Sequence, residues 1–289
     1  MVLYSGSINK EGLEMEKIET SREFLLSLQS PEIRKFITDF ERWNNVAGPL
    51  MNRVSYPYRS LQRDLVSVMV GRVGSVLVDY GCGAGYIAAS LVATGNKDLP
   101  SRIIAVDPDL GTLSEVPDTL AKAGYQGKLC LLQSSSMVPL PLQDGEVDTI
   151  VSGLGAITYS GFHLNSHGVL VGKVALLECL KECHRVLKPQ GYLGFSSLIP
   201  CPDFKRIKWE TIWSLFRKGE WWLLATSLPS AKTVEQLSAF MADCALAGRA
   251  HYLTEEEWKD TLSQAGFVAT DIKTGGYAGQ GIAIAAQKV

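Results

Sequence analysis

From residue 76 onward, short apolar runs alternate with longer segments whose apolar positions recur at helical spacing. The runs VLVDY, RIIAVD, KLCLLQ, VDTIVSG and YLGFSSL read as strands. Between them lie YIAASLVAT, an irregular segment ending near Gly124, and a helix over about 171–187 that places Leu176, Leu180, Cys183 and Leu187 on one face. Lys188-Pro189-Gln190-Gly191 stops that helix before the next strand. Such alternation predicts a parallel sheet covered by helices on both faces.

The flanks read differently. The first twenty or so residues are polar, lack sustained periodicity and are expected to form a mobile arm. From Ser21 the pattern turns helical: Phe24, Leu25 and Leu28, then Ser30-Pro31-Glu32 as an N-terminal signal, then Ile37, Phe40 and Trp43. Residues 44–49 interrupt it, and a helix over 58–70 ends near Gly71. Beyond 199–202, an extended connection, the chain carries Trp209, Trp213, Trp221 and Trp222 within a short helical stretch. That density suits a lid over an apolar substrate, a helical cap on the sheet or a subunit contact. Thr254 followed by Glu255, Glu256 and Glu257 is a helix start; 268–274 and 281–286 read as closing strands joined by the glycine-rich 275–279. The organisation expected is an N-terminal arm and helical lid (1–60), a core (61–200), a tryptophan-rich helical insertion (201–252) and the closing elements of the core (253–289).

Composition narrows the function. With 289 residues, 46% of them hydrophobic, the chain can bury a large core without metal or disulfide. A formal net charge of −2 offers no positive field to gather phosphates, which argues against nucleic acid as a partner. The six cysteines are scattered, as befits reduced thiols in a cytoplasmic setting; Cys179, Cys183 and His184 lack the second ligand pair that a zinc site would need. No apolar run reaches the roughly 20 residues of a membrane span, so the chain reads as soluble or at most peripheral.

The chemistry is expected at VLVDYGCGAGYIAA, residues 76–89. A strand that runs into glycines and then a helix brings backbone N–H groups close to a ligand, because glycine turns tightly and holds nothing away. The spacing Gly81-Cys82-Gly83-Ala84-Gly85 is G-x-G-x-G, with Tyr86 where a dinucleotide fingerprint has its third glycine. Asp79 at the loop entrance would repel a pyrophosphate and attract a sulfonium or an amino group. A nicotinamide-dependent oxidoreductase and a non-catalytic, cofactor-binding regulatory module stand as the alternatives.

Asp79-x-Gly81-x-Gly83-x-Gly85 resembles the first motif of the class I S-adenosylmethionine-dependent methyltransferases, and three further segments carry the resemblance over about 61–198. Asp107, closing Ile103-Ile104-Ala105-Val106-Asp107, resembles their acid at the end of the second strand. Leu140-Pro141-Leu142-Gln143-Asp144-Gly145-Glu146-Val147-Asp148 is similar to their segment before the fourth strand. Glu182-x-x-Arg185-Val186-Leu187-Lys188-Pro189-x-Gly191 is similar to their motif between fifth helix and fifth strand. The nearest flavour is the small-molecule, quinone-biosynthesis-like type. This implies an α/β, Rossmann-like, seven-stranded, mostly parallel sheet with its last strand antiparallel, plus N-terminal helices and a helical cap. It also implies S-adenosyl-L-methionine as cofactor. Asp79, Gly81, Cys82, Gly83 and Gly85 would lie against its methionine part, Asp107 and Pro108 at the ribose, and Ser136 and Met137 at the adenine, with Ser152 nearby.

Methyl transfer is an in-line displacement that needs alignment and exclusion of water, with a base only for acceptors that must lose a proton. The loop after the fourth strand holds His163 and His167, candidates for that base or for plain hydrogen bonding. Tyr56, Tyr58 and Tyr159, with Tyr86, either wall an acceptor pocket or fill the sheet–helix interface. Residues 152–155, Ser-Gly-Leu-Gly, lack the Asn/Asp-Pro-Pro-aromatic signature of base-modifying enzymes, so the expected partner is a small-molecule acceptor, with a homodimer as a further candidate.

Overall fold

The computed structural model of the protein describes residues 2–6, 54–95, 99–134, 139–165, 168–223 and 231–289. The helices expected between 21 and 43 lie outside these residues.

The predicted strand runs pair into one sheet. Its strands are β1 (Val2–Gly6), β2 (Val76–Tyr80), β3 (Arg102–Asp107), β4 (Lys128–Gln133), β5 (Val147–Gly153), β8 (Leu187–Leu198), β9 (Phe267–Thr274) and β10 (Gly281–Lys288), in the order β1-β4-β3-β2-β5-β8-β10-β9. The central five, β4-β3-β2-β5-β8, are parallel, and β10 runs antiparallel to both β8 and β9. These seven strands form the Rossmann-like sheet expected from the sequence, last strand antiparallel included. The eighth corrects an expectation: residues 2–6 are a strand, antiparallel to β4, where a mobile arm was expected. An edge strand offers unpaired N–H and C=O groups to any extended segment, and such a distant pairing leaves no mark on local periodicity.

Consecutive residues of the parallel strands point to opposite faces, and both faces are covered. Leu77, Ile103, Ala105 and Leu131 pack with α1 (Tyr56–Met69), α2 (Tyr86–Ala93) and α4 (Val116–Lys122). Val78, Ile104, Val106 and Leu132 pack with α5 (Lys173–Val186) and α8 (Glu255–Gln264). Trp258 of α8 is fully buried, its ring 4.7 Å from that of Phe195. Cys179 and Cys183 lie within this second core and pack as small apolar side chains. Truncating a core leucine such as Leu180 to alanine is expected to cost about 2–5 kcal/mol.

Local signals set the helix ends. Ser55 Oγ accepts from Tyr58 N–H at 3.2 Å and Pro57 sits in the first turn, so α1 begins two residues before the predicted start. Thr254 and Glu257 exchange reciprocal bonds at 3.2 and 2.8 Å, the capping box that the sequence predicts. The irregular stretch before Gly124 contains a single turn, α3 (Leu110–Leu113), and α4. The loop after β5 contains an antiparallel hairpin, β6 (Phe162–Asn165) and β7 (Gly168–Val171), that the sequence pattern does not announce. Two more helices, α6 (Phe204–Arg217) and α7 (Ala231–Leu246), precede α8.

Two of the quoted motifs prove to be one clamp. Arg185 donates to both Glu182 oxygens at 2.9 and 2.6 Å, to Asp144 at 2.6 Å, and to the carbonyls of Leu140 and Leu142. Glu182 accepts from Leu140 N–H at 2.7 Å. The segment leading into β5 is thereby tied to α5, which fixes where β5 delivers its loop. Asp148 bridges Lys188 at 2.7 Å and Val76 N–H at 2.9 Å, locking β5 to its neighbours β8 and β2. The chain leaves β2 toward β3 and β4 on one side and returns to β5 and β8 on the other, so the crevice of the switch point opens at the carboxyl ends of β2 and β5.

Candidate cofactor and acceptor site

β2 delivers Asp79 and the glycine loop to that crevice. Gly81, Gly83 and Gly85 adopt φ values of 71°, 50° and 80°, all left-handed. A side chain on Gly81 would come within 2.5 Å of Ala156 N, and one on Gly85 within 3.1 Å of Val116 Cγ1. The space beside Gly83 is open. Two glycines thus let the loop pack closely, and the third borders open space. Gly81 and Cys82 N–H both donate to Val106 O, at 2.7 and 3.0 Å, which pins the loop over the end of β3.

Two buried carboxylates bond the loop and the helix that follows it. Asp79 accepts from Ala88 N–H at 3.1 Å through Oδ2, while its Oδ1 is buried with no hydrogen-bond partner. Burial pushes its carboxyl up to about 7, opposed by the Ala88 bond and helped by the nearby charge of Asp107. Asp107 accepts from Gly83 N–H at 2.8 Å and from Asp109 N–H at 3.0 Å. Burial pushes it up to about 6 despite these bonds. An acid half-titrated near neutrality, with an unmet buried oxygen, is the state expected of a group awaiting a cationic ligand.

Neighbouring candidates behave variously. Cys82 is held as the neutral thiol by burial and by both acids, and donates to Gly83 O. Pro108 turns its carbonyl to Gln133 Nε2 at 3.0 Å. Ser152 is buried and its hydroxyl accepts from Ile157 N–H at 3.5 Å, holding the loop after β5. Ser136, Met137 and His167 lie outside the described residues.

Residues 78–195, from β2 through most of β8, match the methyltransferase domain family. The chain carries a class I S-adenosylmethionine-dependent methyltransferase domain. No curated protein matches the chain. Among solved structures it is similar to a chain of the Haloferax volcanii complex between the Trm112 methyltransferase activator and a candidate methyltransferase, at 14% identity and a TM-score of 0.53, covering 86% of this chain and 96% of that one. It is also similar to a candidate O-methyltransferase from Nostoc punctiforme, at 14% identity and a TM-score of 0.54, covering 85% of this chain and 59% of that one. Both show the fold that this methyltransferase shares. The nicotinamide alternative falls with the family match. S-adenosylmethionine is the cofactor of the domain, and the residues present fit it: Asp79, with its unpartnered buried oxygen, would hold a cationic amino acid portion, and the open space beside Gly83 would let it approach the backbone closely.

Beyond Asp79 the methyltransferase gathers four tyrosines. Tyr58 and Tyr277 meet edge to face with centroids 6.0 Å apart, and the hydroxyls of Tyr159 and Tyr252 are 3.2 Å apart. Phe162, Leu198, Ile207 and Met241 complete the apolar cluster around them. Burial raises all four phenols, Tyr58 up to about 12 with Asp79's charge adding to the effect, so each is a neutral donor at physiological pH. Tyr277 and Ala278 hold left-handed φ of 54° and 61°, a strained turn steadied by the Tyr277 N–H bond to Ser60 Oγ.

Two of the candidates do not join this cluster. Tyr56 lies apart, bonded to Glu220 at 2.9 Å and stacked under Arg59 at 4.0 Å. It packs with Val54, Leu215 and Leu223, because the helical step between residues 56 and 58 turns them to different sides. His163 is buried on β6, where strand alternation sets it on the face opposite Phe162. Tyr252, Tyr277 and His251 join the region without any motif to mark them in the sequence. His251 N–H donates to Thr158 O at 2.8 Å, and its imidazole bonds the Ser160 backbone while Nε2 is buried without a partner. Burial lowers it to about 4, so the ring is neutral. Its position just before Tyr252 and a helix cap was the only sequence cue.

Proposed function

We propose that this methyltransferase acts on a small, partly apolar acceptor received among Tyr58, Tyr159, Tyr252 and Tyr277. The observation that carries the reading is the contact between the glycine loop and the loop bearing Tyr159: a Cβ on Gly81 would meet Ala156 N at 2.5 Å, and Tyr159 N–H donates to Gly155 O at 3.1 Å. In this reading Asp79 holds the ammonium of the cofactor, the Gly81–Gly85 backbone lies along its methionine portion, and the Asp107 carboxylate accepts from the ribose hydroxyls.

Bound S-adenosylmethionine supplies a methyl group already activated on a cationic sulfur. The chain's own work is positioning. The loop after β5 is held by the Leu154 N–H to Ser196 Oγ bond at 3.0 Å and the Thr158 hydroxyl to Ser196 O bond at 2.9 Å, which steadies the segment that carries Tyr159. Neutral phenols orient a polar group of the acceptor, and the aliphatic members of the cluster exclude water from it. The unpartnered Nε2 of His251 is the group in this region suited to accept an acceptor's N–H or O–H hydrogen.

Radiolabelled S-adenosylmethionine, offered with a panel of phenols, indoles and quinols, tests the assignment. Label should enter the organic-extractable small-molecule fraction, and Tyr252→Phe should raise the acceptor KM with cofactor affinity unchanged. Label recovered only in added protein or nucleic acid would refute it.

A further inference from the structure

The tryptophan-rich helix α6 is apolar on two opposite sides, and only one of them is used by the fold. Ile207, Thr211, Ser214 and Leu215 face inward and are buried. At about 100° per residue, Trp209, Trp213 and Phe216 share an arc of about 60° on the opposite side, and they are 59%, 58% and 53% exposed. Trp221, just past the helix, is 58% exposed. Lys205 flanks the aromatic arc on one side, Arg206 and Arg217 on the other, and all three are exposed. The lid over an apolar substrate considered for these tryptophans would need the indoles turned inward; at α6 they face solvent.

We propose that this outward face of α6 docks on an anionic bilayer surface. Indole rings prefer the headgroup level, where an apolar body and a wet N–H are both satisfied, and lysine and arginine beside them pair with lipid phosphates. The charge pattern selects that occupant. Residues 205–220 hold five Lys or Arg and two Glu, a local excess of three positive charges in a chain of net charge −2. A second copy of the chain fits the face poorly, since two-fold pairing would set the same cations against each other. No helix among the described residues is long and apolar enough to cross a membrane, so the attachment is peripheral.

The inner side of the same helix gives the docking a use. Ile207 packs in the cluster that contains Tyr252 and Tyr277, so docking brings the tyrosine cluster within about one helix diameter of the lipid. An apolar acceptor dissolved in the bilayer would then have a short path to the site. That last step rests on the proposed acceptor reading; the docking does not.

Sedimentation of the full chain with vesicles of phosphatidylcholine alone, or with about 30% phosphatidylglycerol, decides the matter. The chain should partition onto the anionic vesicles about tenfold better, with weaker binding at high salt. The W209A/W213A/F216A variant should lose about tenfold of that binding, and K205E/R206E/R217E should lose the preference for anionic lipid. Circular dichroism and S-adenosylhomocysteine affinity, measured on the same samples, should match the wild type. Wild-type chain that stays in the supernatant, or variants that sediment as it does, would overturn the proposal. So would a light-scattering mass that halves in the aromatic variant, which would make the face a subunit contact. Failure of the wild type to bind S-adenosylhomocysteine would sink the cofactor assignment and leave the docking result standing.

Discussion

At the cofactor end of the site, Asp79 and the three loop glycines lie within seven residues and Asp107 ends the next strand. At the proposed acceptor end, Tyr58, Tyr159, Tyr252 and Tyr277 are drawn from about two hundred residues of chain. The first end is made of backbone: left-handed turns, N–H donors and strand-tip acids, whose geometry only certain residues in a fixed spacing can build. The second is a wall of side chains brought together by tertiary packing, which constrains size and burial far more than local order. The proposed cofactor contacts are thus written locally, and the proposed acceptor wall is dispersed along the chain.

The contrast can be broken most sharply at Asp79. Replacing it by asparagine should weaken S-adenosylhomocysteine binding by about 100-fold or more, as expected for loss of a desolvated charge pair, while the unliganded protein gains stability. Asp79's folded value of about 7 lies above its ordinary 3.8, so its contribution to stability is present below the ordinary value and is lost as pH rises toward 7. At pH 8 the buried carboxylate is therefore a liability, and the asparagine variant should melt a few degrees higher, a gain of about 1–3 kcal/mol. A calorimetric melt that falls instead would contradict this.

The next effect is structural. Gly81→Ala must place a Cβ against Ala156 N at a left-handed φ, which should cost about 2–4 kcal/mol in denaturant unfolding. The same substitution at Gly83, where the space is open but φ is also left-handed, should cost less, about 1–2 kcal/mol, and impair cofactor binding.

pH separates the two ends further. A cationic ligand lowers the Asp79 value on binding, so protons are released and affinity falls as pH drops through about 7. Titrations at pH 8 and pH 6 should differ by up to about tenfold for S-adenosylhomocysteine. The smallest change is expected at the acceptor end. Tyr159→Phe removes one member of a 3.2 Å hydroxyl pair and should shift the acceptor KM by a fewfold, about 1 kcal/mol, without moving cofactor affinity.

The legible parts of the molecule share a cause. The β2-loop-α2 unit, Asp107, the Thr254–Glu257 cap and the closing strands each carry short-range signals of turning, capping or periodicity. The parts that were not legible depend on distant partners. β1 needs the open edge of β4, and the β6–β7 hairpin packs where Gly161 lets the chain pass close to Arg249. Tyr56 and Tyr58 looked equivalent by type, and the helix separated them. His184 Nε2, like that of His251, is without a partner, and His251 differs from it in its burial beside Tyr252, which does not show in local sequence. The Glu182 and Arg185 motif was visible, yet its partners at 140–144 emerge only in three dimensions.

The most direct test of the account is a calorimetric titration of S-adenosylhomocysteine into the wild-type chain and into Asp107→Ala at pH 8. Tight binding by the wild type and about 100-fold weaker binding by the variant are expected, because two charge-assisted hydrogen bonds to the ribose would be lost. No heat from the wild type, or equal affinity in both proteins, would contradict the placement of the cofactor between the two buried acids.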